Sequence, residues 1–261
     1  MRQRDRVVVA IIAIALLLNV AIPRKQSVNV SSRPNLVQVI QRVNPSVVYI
    51  EAYGNYNAYD SDEYGFDKMG NGKLWSGSGV IIFEDGLVLT AAHVVDGADR
   101  FKVTLPDGRE FWSENAWHRS EISDVGFIQL DIITTLPADV SQKLPVSYLG
   151  KSDNLRKGQD IFIVGCPFGH ILRFTVTKGI VSGFYRDFDG FFGEKMLMQV
   201  DAASYPGNSG GPIYNMQGRI IGILVGGYSG GYDNIGLCIP VDIISGILRI
   251  YEAEQTIEKM E

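Results

Sequence analysis

The sequence contains few cysteines: Cys166 and Cys238 are the only two among 261 residues. Two cysteines exclude a dense disulfide framework, and the sequence has no CxxC motif and no Cys/His cluster at zinc-ligand spacing. We therefore expect neither a metal site nor a cofactor. Each cysteine is interpreted as a small buried apolar residue, although the sequence leaves open a single bridge between them.

A basic excess is also missing. The chain carries 24 Lys and Arg against 29 Asp and Glu, which gives a net charge of -5, and it has no local run of Lys or Arg. A surface that binds nucleic acid needs positive charge opposite the phosphates, so nucleic acid is not expected as a partner. The 46% of hydrophobic residues argue against global disorder and allow a sizeable core.

Charged residues are absent from residues 7–22, VVVAIIAIALLLNVAI, which follow an arginine-rich start. This run is slightly short for a membrane-spanning helix and slightly long for the apolar part of a cleaved signal peptide. Because no clean cleavage motif follows, we predict a signal anchor over residues 1–25 that enters the membrane through residues 7–22. Residues 26–34 are interpreted as a polar linker. The flanking charges then place the rest of the chain outside the cytoplasm, in the periplasm or at the cell exterior; a cleaved signal peptide, and hence a secreted protein, is the alternative.

Helical crossovers between strands are missing as well. From residue 46 onward the sequence consists of short β-type runs, such as SVVYIEA and RIIGILV, separated by Gly, Pro, Asp and Asn. This pattern is typical of an all-β sandwich or barrel and argues against a parallel α/β sheet. Apolar spacing predicts a short helix over residues 35–43 and an amphipathic helix over residues 241–258. Residues 54–73 are interpreted as a long exposed loop.

One serine stands among three glycines in YPGNSGGP, residues 205–212. Gly, Asn, Ser and Pro are ordinary turn residues, so this motif alone does not distinguish a plain loop from a loop that carries a nucleophile. A serine nucleophile needs a base, and the base needs an orienting acid. Among the three histidines, His93 directly follows a predicted strand and lies among small apolar residues. We interpret His118 and His170 as surface or structural residues.

The acid must be buried against His93. Asp124 directly precedes the apolar run VGFIQLD, so a strand would hold it while its side chain points into a cleft. Asp96 and Asp131 are possible substitutes, although both resemble turn or strand-end residues. The chain order His93, Asp124, Ser209 matches one of the orders in which convergent triads occur.

The glycines beside Ser209 have a chemical interpretation. When a serine attacks a carbonyl, the oxyanion must be met by backbone N–H groups that are aimed in advance. Glycine permits backbone angles that a side chain forbids, so the amides of Gly207 and Ser209 can converge on one point. Gly210 and Gly211 let the chain leave that point closely packed.

Several motifs occur in order along the chain: LTAAHVVDGA, SDVGFIQLD, GCPFG, TVTKGIVSG, QVDAASYPGNSGGP, GRIIGILV and NIGLCIP. Together they resemble the protease domain of the HtrA/Deg family of trypsin-like serine proteases, over roughly residues 35–250. The resemblance implies an all-β protease domain of two antiparallel barrels, at about 45–135 and 145–240, with the active site between them. It also implies a serine endopeptidase that acts on unfolded or exposed protein segments in extracytoplasmic quality control, often as a homotrimer.

The resemblance assigns roles to the residues of the motifs. His93 would be the general base, Asp124 would orient it, and Ser209 would attack the peptide carbonyl. The amides of Gly207 and Ser209, together with Asn208, would form the oxyanion hole.

The resemblance also implies a substrate site. The strand of residues 224–227 would pair with the substrate backbone, and an S1 pocket would receive the side chain that precedes the scissile bond (P1). The residues implied to bind substrate are Ala203, Tyr205, Leu224, Val225, Gly226, Gly227, Gly236 and Leu237. Because Ala203 stands where a trypsin-like enzyme places its acid, we predict small or medium aliphatic P1 residues.

The sequence departs from the family in three places. The family usually carries one or two PDZ domains after the protease, whereas this chain ends with the predicted helix, so regulation by PDZ domains is not expected. Cys166 and Cys238 stand where Asn and Ala are usual, and the loop of residues 54–73 leaves trimer formation open. A catalytically silent holdase or scaffold with the same fold, and an esterase or other acyl hydrolase, are the competing hypotheses.

Overall fold

The computed structural model describes residues 35–54, 72–119, 123–132, 143–186, 197–227 and 235–258. The architecture reported below is that of the unit Leu36–Glu261. The predicted signal anchor, the predicted linker and most of the predicted loop 54–73 lie outside the described residues. Among the residues described, no helix is both long and apolar enough to cross a membrane.

The described residues form three α-helices and thirteen strands. The helices are α1 Leu36–Val43, α2 Ala92–Val95 and α3 Val241–Glu258. The strands are β1 Val47–Tyr53, β2 Lys73–Ile81, β3 Leu87–Thr90, β4 Arg100–Thr104, β5 Glu110–Ser113, β6 Ala116–Arg119, β7 Val125–Gln129, β8 Asp160–Gly165, β9 Thr175–Arg186, β10 Leu197–Asp201, β11 Pro212–Asn215, β12 Ile220–Gly227 and β13 Gly236–Pro240. The helices predicted near residues 35–43 and 241–258 are confirmed.

Strands β1 to β7 form one antiparallel sheet in the order β5-β4-β1-β2-β3-β7-β6. The two edge strands, β5 and β6, are joined by Glu114 and Asn115 without a ladder between them. Ser113 Oγ donates to the Gln129 carbonyl at 2.7 Å, and the Gln129 amide donates to the Asn115 carbonyl at 2.9 Å. These bonds curl the sheet at one corner. The predicted first barrel is therefore corrected to a curled, open half-barrel.

Strands β8 to β13 form a closed antiparallel barrel in the order β10-β13-β12-β11-β8-β9, as the sequence predicted for this half. Its interior is filled by Ile161, Ile163, Val181, Met198, Val200, Ile213, Ile221, Leu224 and Cys238. Closure depends on a close approach of β9 to β10, because a Cβ on Gly179 would stand 1.5 Å from the Asp201 carbonyl oxygen. No side chain larger than hydrogen fits there.

Helix α3 joins the two halves. It begins directly after β13 of the barrel, and its second half packs on the curled sheet. The Tyr251 ring lies 5.6 Å from Trp117 and 5.1 Å from Phe127, measured between ring centroids. Trp117 Nε1 donates to Glu254 Oε2 at 2.7 Å. The helix therefore fixes the position of the barrel against strands β6 and β7.

Candidate active site

His93 lies on the one-turn helix α2, directly after the buried strand β3. Ala91 is extended, with φ -83° and ψ 147°, so the chain turns sharply into the helix. Ala92, Val94 and Val95 are buried, whereas the His93 side chain is 46% exposed. Because these three neighbours pack the short helix against the sheet, the imidazole lies on the exposed side of the helix.

Asp124 holds His93 through two hydrogen bonds, one to the imidazole and one to the backbone amide. Asp124 Oδ2 lies 2.7 Å from His93 Nδ1, and Asp124 Oδ1 accepts a bond from the His93 amide at 3.0 Å. The carboxylate is nearly buried, with 5% of its side chain exposed. A carboxylate at Nδ1 favours the tautomer in which Nδ1 carries the proton, so Nε2 is left as the basic nitrogen.

The approach of Asp124 to α2 depends on a glycine in β7. A Cβ on Gly126 would stand 2.9 Å from Val95 Cγ2 and 3.2 Å from the Ala91 carbonyl oxygen. The missing side chain lets β7 lie directly against α2. The Asp124 carbonyl accepts a hydrogen bond from the Ala92 amide at 3.2 Å. This bond joins the residue before β7 to α2.

The other candidate acids and bases lie elsewhere. Asp96 is 3.7 Å from His118 Nε2, and Asp131 lines a groove of about 670 Å³ beside Trp112. His170 is exposed in a 3₁₀ turn, Gly169–Ile171. Of the three acids considered from the sequence, Asp124 is therefore the one that contacts His93.

Ser209 lies in a turn that packs against the end of β3. Its carbonyl accepts a bond from the Ser78 amide at 2.8 Å. A Cβ on Gly210 would stand 2.1 Å from Thr90 Oγ1 and 2.9 Å from the Ala91 amide. The serine turn therefore touches the segment that leads into α2 and His93. Among the described residues, the Ser209 hydroxyl and the His93 imidazole share no hydrogen bond; such bonds often form only when substrate is bound.

The Gly207 amide is aimed by the peptide that carries it. The Pro206 carbonyl, which belongs to the same peptide, accepts a bond from the Phe168 amide at 2.9 Å. In a trans peptide the carbonyl and the N–H point in opposite directions, so the Gly207 N–H points away from Phe168. It donates no hydrogen bond to any described residue.

The Ser209 amide is aimed in the same way. The Asn208 carbonyl accepts a bond from the Gly211 amide at 2.9 Å, so the Ser209 N–H of that peptide points to the other side. Within the described part of the chain it too has no hydrogen-bond partner. The Asn208 amide, in contrast, donates to the Tyr205 carbonyl at 3.0 Å. The Asn208 amide is thus already paired, whereas the amides of Gly207 and Ser209 are available to an oxyanion.

The predicted substrate strand is shorter in the structure. The Leu224 amide donates to the Gly211 carbonyl at 2.9 Å, and the Leu224 carbonyl accepts from the Gly210 amide at 2.7 Å. Leu224 is thus already paired within the barrel. Gly226 and Gly227 pair with β13 on one side, and no described strand covers their other side. Within the described residues, the end of β12 is therefore paired on one side only.

The predicted pocket residues divide into two groups. Gly236 packs against Val200, and Leu237 is 2% exposed and belongs to the hydrophobic core. Ala203 and Tyr205 remain at the surface of the cleft, where the Ala203 carbonyl accepts a bond from Thr177 Oγ1 at 3.4 Å.

Ser204, which the sequence analysis did not single out, contacts the glycines at the end of β12. Its hydroxyl donates to the Gly226 carbonyl at 3.4 Å, and a Cβ on Gly227 would stand 3.3 Å from it. The signal was available, because Ser204 lies between the predicted residues Ala203 and Tyr205. Gly226 and Gly227, which face Ser204, carry no side chains.

Neither cysteine is a competing nucleophile. Cys166 and Cys238 are both free and buried, and they form no bridge. Burial raises the pKa of the Cys166 thiol to about 11 and also raises that of Cys238. A thiol that stays protonated in an apolar site is a poor nucleophile.

The curled sheet that carries a His–Asp pair, next to a barrel that carries a serine in a glycine turn, defines the class of trypsin-like peptidases. The profile of the trypsin-like peptidase domain matches residues 77–223, which is more than half of the chain. The chain belongs to the HtrA/DegP family of trypsin-like serine proteases, and it is homologous to the serine endoproteases of that family.

Two curated relatives illustrate the match. The chain is 32% identical over 263 residues to the "Probable periplasmic serine endoprotease DegP-like" of Halomonas elongata, an alignment that covers 89% of this chain and 52% of the relative. It is 35% identical over 218 residues to "Protease Do-like 1, chloroplastic" of Arabidopsis thaliana, which covers 81% of this chain and 46% of the relative. The chain thus spans about half the length of these relatives.

A solved structure gives a similar match. The HtrA-type protease AlgW, solved with a decapeptide, has a TM-score of 0.66 and 29% sequence identity to this chain. The match covers 83% of this chain and 67% of that chain.

Proposed function

We propose that the chain is a serine endopeptidase that hydrolyses peptide bonds in unfolded or exposed protein segments, as part of protein quality control. The observation that carries the proposal is the His93–Asp124 hydrogen bond, next to a serine turn whose Gly207 and Ser209 amides have no hydrogen-bond partner within the described residues. This arrangement provides a base, an orienting acid, a nucleophile and two aimed donors.

The proposed reaction proceeds through an acyl-enzyme. His93 Nε2 takes the proton of the Ser209 hydroxyl as its oxygen attacks the peptide carbonyl, and the buried Asp124 carboxylate stabilises the imidazolium that forms. The amides of Gly207 and Ser209 stabilise the oxyanion. His93 then protonates the leaving amine, and a water molecule hydrolyses the acyl-enzyme by the same steps.

The proposed substrate lies along the edge Val225–Gly227 as an added strand. Its P1 side chain enters the pocket beside Ser204. Ala203 supplies no charge at the position where a trypsin-like enzyme has its acid, so we expect small or medium aliphatic P1 residues. The AlgW structures solved with a tripeptide and with a decapeptide support a peptide as the class of ligand.

Location and assembly are further parts of the proposal. One relative is named as periplasmic and another as chloroplastic, which supports a protease domain outside the cytoplasm. Anchoring through residues 7–22 is proposed from the sequence pattern alone. Exposed apolar side chains beside the oxyanion turn support a homotrimer. They are Phe168, Ile171, Leu172 and Tyr205.

A second candidate function is a catalytically silent holdase. It is favoured by one observation, the lack of a hydrogen bond between Ser209 and His93 among the described residues. The two functions differ in the reactivity of Ser209.

The test is labelling of the purified full chain with a fluorophosphonate, followed by casein degradation. We expect labelling that is lost in Ser209→Ala, and we expect Asp124→Asn to lower kcat by about 10⁴-fold because its imidazole takes the wrong tautomer. No labelling at any pH between about 6 and 9 would contradict the proposal and favour the holdase. Labelling without cleavage of casein would indicate an esterase.

A further inference from the structure

Ser78 links the curled sheet to the barrel half through its amide and its hydroxyl. It lies on β2 and is fully buried. Its amide donates to the Ser209 carbonyl at 2.8 Å, and its carbonyl accepts from Thr90 Oγ1 at 2.7 Å. Its hydroxyl makes two more bonds, both to backbone groups of the barrel half.

The first hydroxyl bond fixes the middle peptide of the turn. Ser78 Oγ donates to the Gly207 carbonyl at 2.7 Å. This carbonyl belongs to the peptide between Gly207 and Asn208, and the N–H of that peptide donates to the Tyr205 carbonyl. The carbonyl and the N–H of this peptide are thus both hydrogen-bonded. Among the described residues, Ser78 supplies the side chain in these two bonds.

The second hydroxyl bond fixes the segment that aims the Gly207 amide. Ser78 Oγ accepts a bond from the Cys166 amide at 2.9 Å. Two residues later, the Phe168 amide holds the Pro206 carbonyl, and this bond turns the Gly207 N–H to the opposite side. Ser78 therefore acts on Gly207 twice, directly and through the Cys166–Phe168 segment.

We propose that Ser78 is a positioning residue for the oxyanion hole, which its hydroxyl keeps in the reactive conformation. The inference rests on the proposed peptidase function. Ser78 does not touch the substrate; it acts through the backbone of Gly207. Without its hydroxyl, the Gly207 carbonyl and the Cys166 amide lose their partner in a buried site. Because glycine has wide backbone freedom, the turn can rotate to recover hydrogen bonds, and the Gly207 N–H then turns away from the oxyanion.

The experiment compares Ser78→Ala with Ser147→Ala. Ser147 is a matched control because it is also buried and its hydroxyl also makes two bonds, at 2.7 Å to Ser46 Oγ and at 2.8 Å to the Tyr214 hydroxyl. It lies away from the serine turn. The substrate is a quenched peptide taken from a casein site that the wild-type chain cleaves, and fluorophosphonate titration gives the concentration of active sites.

We expect Ser78→Ala to lower kcat by about 10–10²-fold, somewhat less than the loss of a whole oxyanion donor. The KM should change little, and the pKa seen in the pH profile of kcat/KM should stay at the wild-type value, because Ser78 does not touch His93. Ser147→Ala should keep the wild-type kcat. Equal kcat in the two variants, or a shifted pKa in Ser78→Ala, would overturn the proposal.

A crystal structure of Ser78→Ala separates this inference from the proposed function, because the geometry of the turn can be measured without activity. We expect the Gly207 carbonyl to be rotated from its position in the wild type. An unrotated turn would overturn the role of Ser78 even in an active enzyme. A wild-type chain that is never labelled would instead refute the peptidase proposal.

Discussion

Gly207 adopts a backbone conformation that other residues rarely tolerate. Its φ is +95°, and a Cβ there would stand 2.5 Å from the Cys166 carbonyl oxygen. Gly108 has a similar φ of +89°, but nothing lies within 4 Å of its Cβ position. An alanine at either position would therefore be strained by the positive φ. Only at position 207 would it also clash with its surroundings.

We predict that Gly207→Ala and Gly108→Ala each lose about 1–2 kcal/mol of unfolding free energy from the positive φ. Gly207→Ala should also displace the turn and slow fluorophosphonate labelling by about 10²-fold or more, as expected when an oxyanion donor is lost. Urea unfolding and labelling rates measure the two effects. Similar labelling rates in both variants would contradict the assigned role of Gly207.

For single residues, roles that depend on the local motif are easier to predict from the sequence than hydrogen bonds between distant motifs. His93 and Asp124 were each identified from their local surroundings, and their side chains meet as expected. The contacts of Ser78 are invisible to such reasoning, because its hydroxyl bonds a carbonyl 129 positions away. The burial of Leu237 is hard to predict for a related reason: β-alternation gives two faces, and the sequence does not say which face the barrel buries.

At the level of secondary-structure elements, helix α3 connects the sheet to the barrel. We predict that Tyr251→Ala lowers the unfolding free energy by about 3 kcal/mol or more, because a buried aromatic ring leaves a cavity against Trp117 and Phe127. Ile250→Ala is the control, since Ile250 is 41% exposed and surface changes usually stay within about 0.5 kcal/mol. Urea unfolding measures both. A loss in Tyr251→Ala as small as that in Ile250→Ala would refute this role of the helix.

The elements themselves were largely predictable, and the closure of the sheet was not. Short apolar runs between turn residues indicate strands, and helical spacing indicated α1 and α3. Whether a sheet closes depends on hydrogen bonds between its two edge strands. Here no ladder forms between β5 and β6, and Ser113 and Asn115 bond instead to Gln129 of β7; no local pattern encodes that choice.

For the molecule as a whole, the buried thiols predict sensitivity to alkali. Burial raises the pKa of Cys166 to about 11 and also raises that of Cys238, from a usual value of 9.0. The folded state therefore holds these protons more tightly than the unfolded state. The stability they contribute is fully present below about pH 9 and is lost as pH rises through the folded pKa, by up to about 1.4 kcal/mol per pH unit for each thiol.

Urea midpoints measured from pH 7 to about 10.5 test this prediction. We expect the wild-type midpoint to fall above pH 9. In the double variant Cys166→Ala/Cys238→Ala, which is destabilised at every pH, the additional fall above pH 9 should be smaller. Parallel curves would show that other groups, such as the buried Tyr214 phenol, control the alkaline limit.

The order of the halves along the chain has a consequence for biosynthesis. The sheet with His93 and Asp124 precedes the barrel with Ser209, and α3, which packs on Trp117 of the sheet, follows both. A chain that emerges N-terminus first completes the base and its acid early. Ser209, and helix α3, which holds the barrel against the sheet, are synthesised after them. We therefore expect a partly synthesised chain to be unable to cut itself or its unfolded neighbours, because proteolysis begins only after the barrel and α3 have been synthesised.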